Sequence, residues 1–268
     1  MPASRSSSPS AKLAPPSRRF WPIILIGLAA LLAVIVASLP ASIIARFLPP
    51  VVRAEDFSGS IWHGSAGKIS VAERDAGALE WRLHPAALFG LQVSADVHWV
   101  KVGFVVDAAV KIDRLGLAAR DVKGGGPIED LRDFGVASGW RGTAGINFSE
   151  LKSDWVKPLA AVGDIQVSNL ASSQIGQGAD LGGYDLRLAE GGIGADGSVT
   201  AQLTDTGGPL DAKAVIRLST TEHTGMLSGT LKERPDAPAA LLSDLEGVVQ
   251  LRGRDAQGRI PVDLEFTW

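Results

Sequence analysis

Much of the chain beyond residue 90 alternates apolar and polar residues with a period of two, the mark of strands with one buried and one wet face. In "LQVSADVHW", Leu91, Val93, Ala95, Val97 and Trp99 share one face, and Gln92, Ser94, Asp96 and His98 the other. Phe104, Val106, Ala108, Val110 and Ile112 repeat the pattern, as do Tyr184, Leu186 and Leu188. So do Leu210, Ala212, Ala214, Ile216 and Leu218, and finally Ile260, Val262, Leu264, Phe266 and Trp268. One-faced strands indicate antiparallel sheet rather than the doubly buried parallel sheet of an α/β enzyme. Turn-forming "ADGS" (195–198), "TGGP" (206–209) and "DAQG" (255–258) separate the runs. Only 127–134 and 235–247 read as helical, each opening near a proline. The predicted fold is mainly β: an N-terminal transmembrane helix, then a curled or twisted antiparallel sheet, half-barrel or sandwich-like, with two short helices.

The transmembrane expectation rests on residues 20–39, "FWPIILIGLAALLAVIVASL", a 20-residue run without charge. Such a helix would rise roughly 30 Å, the thickness of the hydrocarbon core. Trp21 sits where an interfacial aromatic belongs. Arg5, Lys12, Arg18 and Arg19 precede the run, and no acid occurs before Glu55. Positive-inside then places the first 19 residues in the cytoplasm, as a disordered Ser/Pro-rich tail, and the rest across the membrane. The competing reading is a cleaved signal peptide ending in small residues, but its apolar region is normally shorter. Residues 40–58 read as a connector, and 59–268 as a periplasmic β-rich domain, either one body or two similar layers over 59–134 and 135–268.

Composition narrows the chemistry. Removing the four N-terminal bases from 26 leaves 22 against 29 acids, so the remainder carries −7. That balance argues against nucleic acid. There is no cysteine, which excludes disulfides, thiolate catalysis and cysteine metal sites. His63, His84, His98 and His223 show no metal-ligand spacing. Gly192, Gly194 and Gly197 form a formal G-x-G-x-x-G, but strand-like "SVTAQL" comes next where a dinucleotide site needs a helix. No catalytic residue, metal or cofactor is expected.

Three stretches stand out. "GSIWHGSAG" (59–67) sets Trp62 and His63 among Gly64 and Gly67. "SGWRGTAGI" (138–146) echoes it, with Trp140, Arg141 and Gly142 in place of Trp62, His63 and Gly64. A histidine that its echo replaces by arginine is a poor catalyst, so each stretch reads as the start of a sheet segment. Glycines would permit the bend and Trp62 and Trp140 would anchor it. In "ALEWRLHP" (78–85), Trp81 faces a core and Pro85 ends the strand.

The order of these features, from "LPASIIARFLP" through "GSIWHGSAG", "LEWRLHPAALFG" and "LGGYDLRL" to "GRDAQGRIPVDLEF", resembles the type II secretion system protein N (GspN) family. The resemblance implies a non-catalytic, single-pass inner-membrane protein with a periplasmic β domain. Its implied partners are inner-membrane platform proteins of the secretion machine and the outer-membrane secretin, with no small-molecule ligand. An alternative from the residues alone is an inner-membrane-anchored, AsmA-like carrier, holding lipid or another hydrophobic ligand against the apolar face of a curled sheet.

Overall fold

The computed structural model describes residues 21–134, 136–188, 191–219 and 221–267. The chain divides into two compact units, 1–39 and 40–268. In the first, the apolar run forms helix α1 (Trp21–Ala37), 17 residues long. It stops short of Leu39 because Pro40 disfavours helical backbone in the residue before it, and the Ser38 hydroxyl donates back to the Ile35 carbonyl at 3.1 Å. Over these described residues the helix rises about 25 Å. Among the described residues no helix is long and apolar enough to cross a membrane, so the expected transmembrane helix is not supported here. Phe20 and the tail 1–19 lie outside the described residues.

The second unit is built on 13 strands in a single sheet whose spatial order is the chain order. They are β1 (Val52–Gly59), β2 (His63–Val71), β3 (Arg74–Leu83), β4 (Val93–Lys101), β5 (Phe104–Ile112), β6 (Leu117–Pro127) and β7 (Trp140–Ser153). The series continues with β8 (Pro158–Ser172), β9 (Ile175–Leu188), β10 (Val199–Gly207), β11 (Leu210–Ser219), β12 (Thr224–Glu233) and β13 (Ile260–Thr267). Every adjacent pair is antiparallel. The sandwich-like alternative is not observed, because each connection returns the chain to the edge it has just made and so extends the same sheet. The sheet also runs through the expected layer boundary: Val122 pairs with Phe148 and Gly124 with Ile146 across β6 and β7. The expected connector 40–58 holds a 3-10 helix, Ala41–Phe47, and most of β1.

Register makes this sheet two-faced from end to end. One rung runs Phe57, Ala66, Leu79, Trp99, Val106, Gly124 and Ile146 across β1–β7. It continues through Ile165, Leu186, Leu203, Ala214, Gly229 and Val262 to β13 without a polar side chain. The neighbouring rung points the other way: Ser58, Ser65, Glu80, His98, Asp107, Lys123 and Asn147, then Asp164, Arg187, Gln202, Val215, Ser228 and Asp263. Val215 is its one apolar member, and it is exposed.

Several strands meet this demand with bulges. Asp121 in β6 (φ +49°) and Asn169 in β8 (φ +52°) take left-handed backbone where pairing slips. A bulge adds one residue and flips the parity of the positions beyond it. That is why simple alternation fails over much of residues 113–183 while the face itself does not change.

An apolar sheet face must be covered. Three short elements cover parts of this one. Ala41 and Ile44 of the first 3-10 helix pack with Ala66 and Trp81. A second 3-10 helix, Ile128–Phe134, seats Ile128 against Phe104 and Ala144. It is pinned by Lys101, 4% exposed, whose Nζ donates to Asp133 and to the Asp75 carbonyl, each at 2.5 Å. The third is α2 (Ala239–Arg252), starting four residues later than the predicted 235–247 and ending five later. A 3-10 helix at Pro85–Gly90 was not predicted as an element.

Helix α2 lies across the sheet like a beam. Fourteen residues span roughly 21 Å, close to the roughly 19 Å that separates β9 from β13 at normal strand spacing. At the β9 end, Asp244 accepts from the Gly176 N–H at 2.7 Å. At the β13 end, Arg252 donates to the Asp263 carbonyl at 3.0 Å. Leu241 and Leu245 join Leu181, Leu210 and Ile260 in a buried cluster. The chain leading into α2 is held by Arg234, which donates to Asp205 at 2.5 Å and to the Gly208 carbonyl at 2.7 Å.

Two variants test how the beam is held. Leu241→Ala should lower unfolding free energy by about 2–5 kcal/mol, since it leaves a cavity under the beam; urea midpoints measure this. Asp205 provides a pH signature. Its burial raises its pKa, but hydrogen bonds from Arg234 and the Ala212 N–H outweigh that and hold it below the usual value. Its contribution is therefore complete above the unfolded value of about 3.9 and is lost as pH falls through the lower folded one. Asp205→Asn should lower Tm at neutral pH and weaken the fall in Tm on acidification, read by calorimetry between neutral and acid buffers.

Candidate interaction surface

The stretch 59–67 is the turn between β1 and β2. Gly59 ends β1 with φ +80°, and a Cβ there would lie 2.4 Å from the His63 carbonyl oxygen. The Ser60 N–H donates to that same carbonyl at 2.9 Å. Gly64 is required by close approach: its Cβ would fall 2.8 Å from Cζ2 of Trp81. The Trp81 indole lies over this glycine and donates from Nε1 to the Ile61 carbonyl at 2.9 Å. Phe57 meets the indole edge-on, with centroids 6.4 Å apart. Trp81 thus fastens the turn, a role expected of Trp62. Trp62 is half-buried in the bend, and its carbonyl accepts from the Leu83 N–H at 2.7 Å. Gly67 faces Asp56, which takes left-handed backbone at φ +56°. Pro85 opens the 3-10 helix that comes after β3.

The echoing stretch is used differently. Trp140 opens β7 and packs against the cluster under α2 and the cluster under Ile128 alike. Gly142 sits at a register shift with φ +149°, where a Cβ would come within 2.9 Å of the Ser168 carbonyl. The structure therefore brings Gly64 and Trp81 together with Trp62 close by in the chain, and leaves Trp140 and Gly142 at a separate point of the sheet.

On the polar face, Glu80, Arg82, Asp96, His98 and Asp107 line an open depression beside His63. His98 Nδ1 lies 2.7 Å from Asp107, and His84 Nε2 lies 3.0 Å from Asp96. Both pairs are exposed cross-strand contacts. Among the described residues no group of three or more acidic or histidine side chains could hold a metal ion. Gly192–Gly197 forms a turn closed by Gly194 N–H to the Ser198 carbonyl at 2.7 Å, and it leads into a strand.

The sheet also has two edges. β1 is interrupted by left-handed backbone at Asp56 and carries the charges of Arg53, Glu55 and Asp56. β13 is regular, pairing with β12 over eight consecutive residues, and exposes 53% of Leu264 and 45% of Phe266 beside Asp263 and Glu265. A long edge with exposed apolar side chains is open to strand addition.

A model of the family described as "Type II secretion system (T2SS), protein N" matches residues 50–263. The chain belongs to that family. The match begins just before β1 and ends within β13, so it is coextensive with the sheet and includes its turns and the beam α2. The protein is thereby a component of the secretion system. No curated protein and no solved structure matches it.

Side chains missed by sequence reasoning are Lys101, Asp205 and Arg234, which fix the covering elements. Nothing in their local pattern marks them, since their partners lie 26 to 32 residues away. Trp81→Ala should cost about 3–5 kcal/mol, and Gly64→Ala about 1–3 kcal/mol through its clash with the Ser60 and Ser58 carbonyls and the indole. Exposed His63→Arg should change stability by less than about 0.5 kcal/mol. Thermal denaturation of the three variants checks the order.

Proposed function

We propose that this protein is a non-catalytic structural part of the type II secretion apparatus, held at the inner membrane through residues 20–39 with its sheet on the periplasmic side. Its partners are platform proteins of the inner membrane and, through the same sheet, the secretin. The observation that carries the reading is the regular, apolar-flanked edge at β13 in a member of this family. An edge strand offers a row of backbone donors and acceptors, and a partner strand that adds to it needs no chemical site. The basic N-terminus before the apolar run supports the orientation.

A photo-crosslinking residue at Glu265, on the exposed side of β13, should capture a platform protein in cells. The same probe at Lys123, in the middle of the polar face, should capture much less. Equal capture at both positions, or none at β13, rejects the edge as the docking strand. Protease added to spheroplasts should degrade the sheet only when it reaches the periplasm.

A further inference from the structure

The beam α2 does not lie flat on the sheet. Between it and the floor of β10–β12 is a cavity of about 440 Å³, lined by Leu203, Leu210, Ala214, Leu227, Leu241 and Val262 among others. A second cavity of about 400 Å³ adjoins it toward Ile128 and Val136. Both are lined by Trp140, Leu170, Tyr184 and Leu203, which form the wall they share. Each lies within the roughly 300–1,000 Å³ range of small-molecule pockets.

Tyr184, Asp244 and Thr230 at these walls already make hydrogen bonds. The Tyr184 hydroxyl donates to the Leu181 carbonyl at 3.0 Å, and its burial raises its pKa so that it stays neutral. Asp244 accepts from the Gly176 N–H. Lys213 and Thr230, which pair across β11 and β12, also line the first cavity. A peptide in this trough would carry unpaired N–H and C=O groups into apolar surroundings, at a cost of roughly 1–3 kcal/mol each. A hydrocarbon chain carries none.

We propose that the cavity under α2 and its neighbour toward Ile128 hold the two acyl chains of one phospholipid, one chain on each side of the Trp140–Leu170–Tyr184–Leu203 wall, with the headgroup left in water. Two adjoining compartments of similar size fit a diacyl lipid better than a single-chain fatty acid. This goes beyond the secretion-system reading and does not depend on it. It also replaces the expectation of no small-molecule ligand.

The test uses the full chain in detergent, titrated with a dibromostearoyl phosphatidylcholine, whose bromines quench tryptophan fluorescence on contact. Trp140 is one of seven tryptophans, so saturable quenching of part of the signal is expected. Trp140→Phe should lose that component. Ala214→Phe and Leu227→Phe, which fill the floor, should weaken binding roughly tenfold or more. Far-UV circular dichroism identifies any variant that fails to fold, and lipid mass spectrometry of the wild-type chain gives a readout that needs no variant. Quenching that does not saturate, or that persists unchanged in Trp140→Phe, overturns the proposal. So does saturable quenching by dibromostearic acid with none by the phospholipid. Cross-linking from Glu265 should survive Ala214→Phe, which separates failure of this site from failure of the docking edge.

Discussion

Everything in the larger unit depends on one constraint: the cross-strand register that keeps apolar side chains on one face through 13 consecutive strands. A slip of one residue in any pair would send that strand's apolar set into water. The chain prevents slips locally. Trp81 over Gly64 fixes β2 against β3, and left-handed Asp121 and Asn169 absorb extra residues without inverting the face. The polar rung beside it carries mixed charge, with Glu80, His98, Asp107 and Lys123 in succession, so that face is solvated rather than strongly acidic.

A single sheet with one apolar face is an incomplete structure until something covers it. Here the cover is discontinuous. The 3-10 helices at Ala41–Phe47 and Ile128–Phe134 fill two places, each with one or two deeply buried side chains. α2 bridges a third, held by Leu241 and Leu245 in a buried cluster and by the polar contacts of Asp244 and Arg252. Leu241 is 1% exposed, whereas Val248 is 38% exposed. A helix so held supports a roof more than it seals a core. Incomplete cover, together with the regular edge at β13, leaves two surfaces available: one for hydrocarbon and one for backbone. They lie on different atoms of the sheet, which is why separate experiments can address them.

The ion pairs serve placement more than stability. Lys101 with Asp133, and Arg234 with Asp205, each join a strand end to a covering element. Pairs of this kind return little net free energy after desolvation. Their value is in fixing where the 3-10 helix and the beam sit, since the apolar contacts beneath would tolerate more than one position.

The sequence by itself determined the class of the fold and its two faces, because a period of two is a local property of neighbouring residues. β4, β5, β11 and β13 are legible from alternation to within a few residues. It also carried the family resemblance, through the order of short motifs around Trp62, Trp81 and Pro85 that the family match over 50–263 supports. Only the tertiary structure decided the rest. It showed that the strands form one sheet, that the long bulged strands β7–β9 stay in register, and that α1 ends at Ala37. It placed the tryptophan of β3, not that of the turn, on Gly64. It set α2 over β9–β13 with space beneath. Bulges hide a face from any fixed period, and a helix 68 residues from the strand it leans on leaves no local trace. Asp244 meets Gly176 of β9 only after the chain has made three more strands.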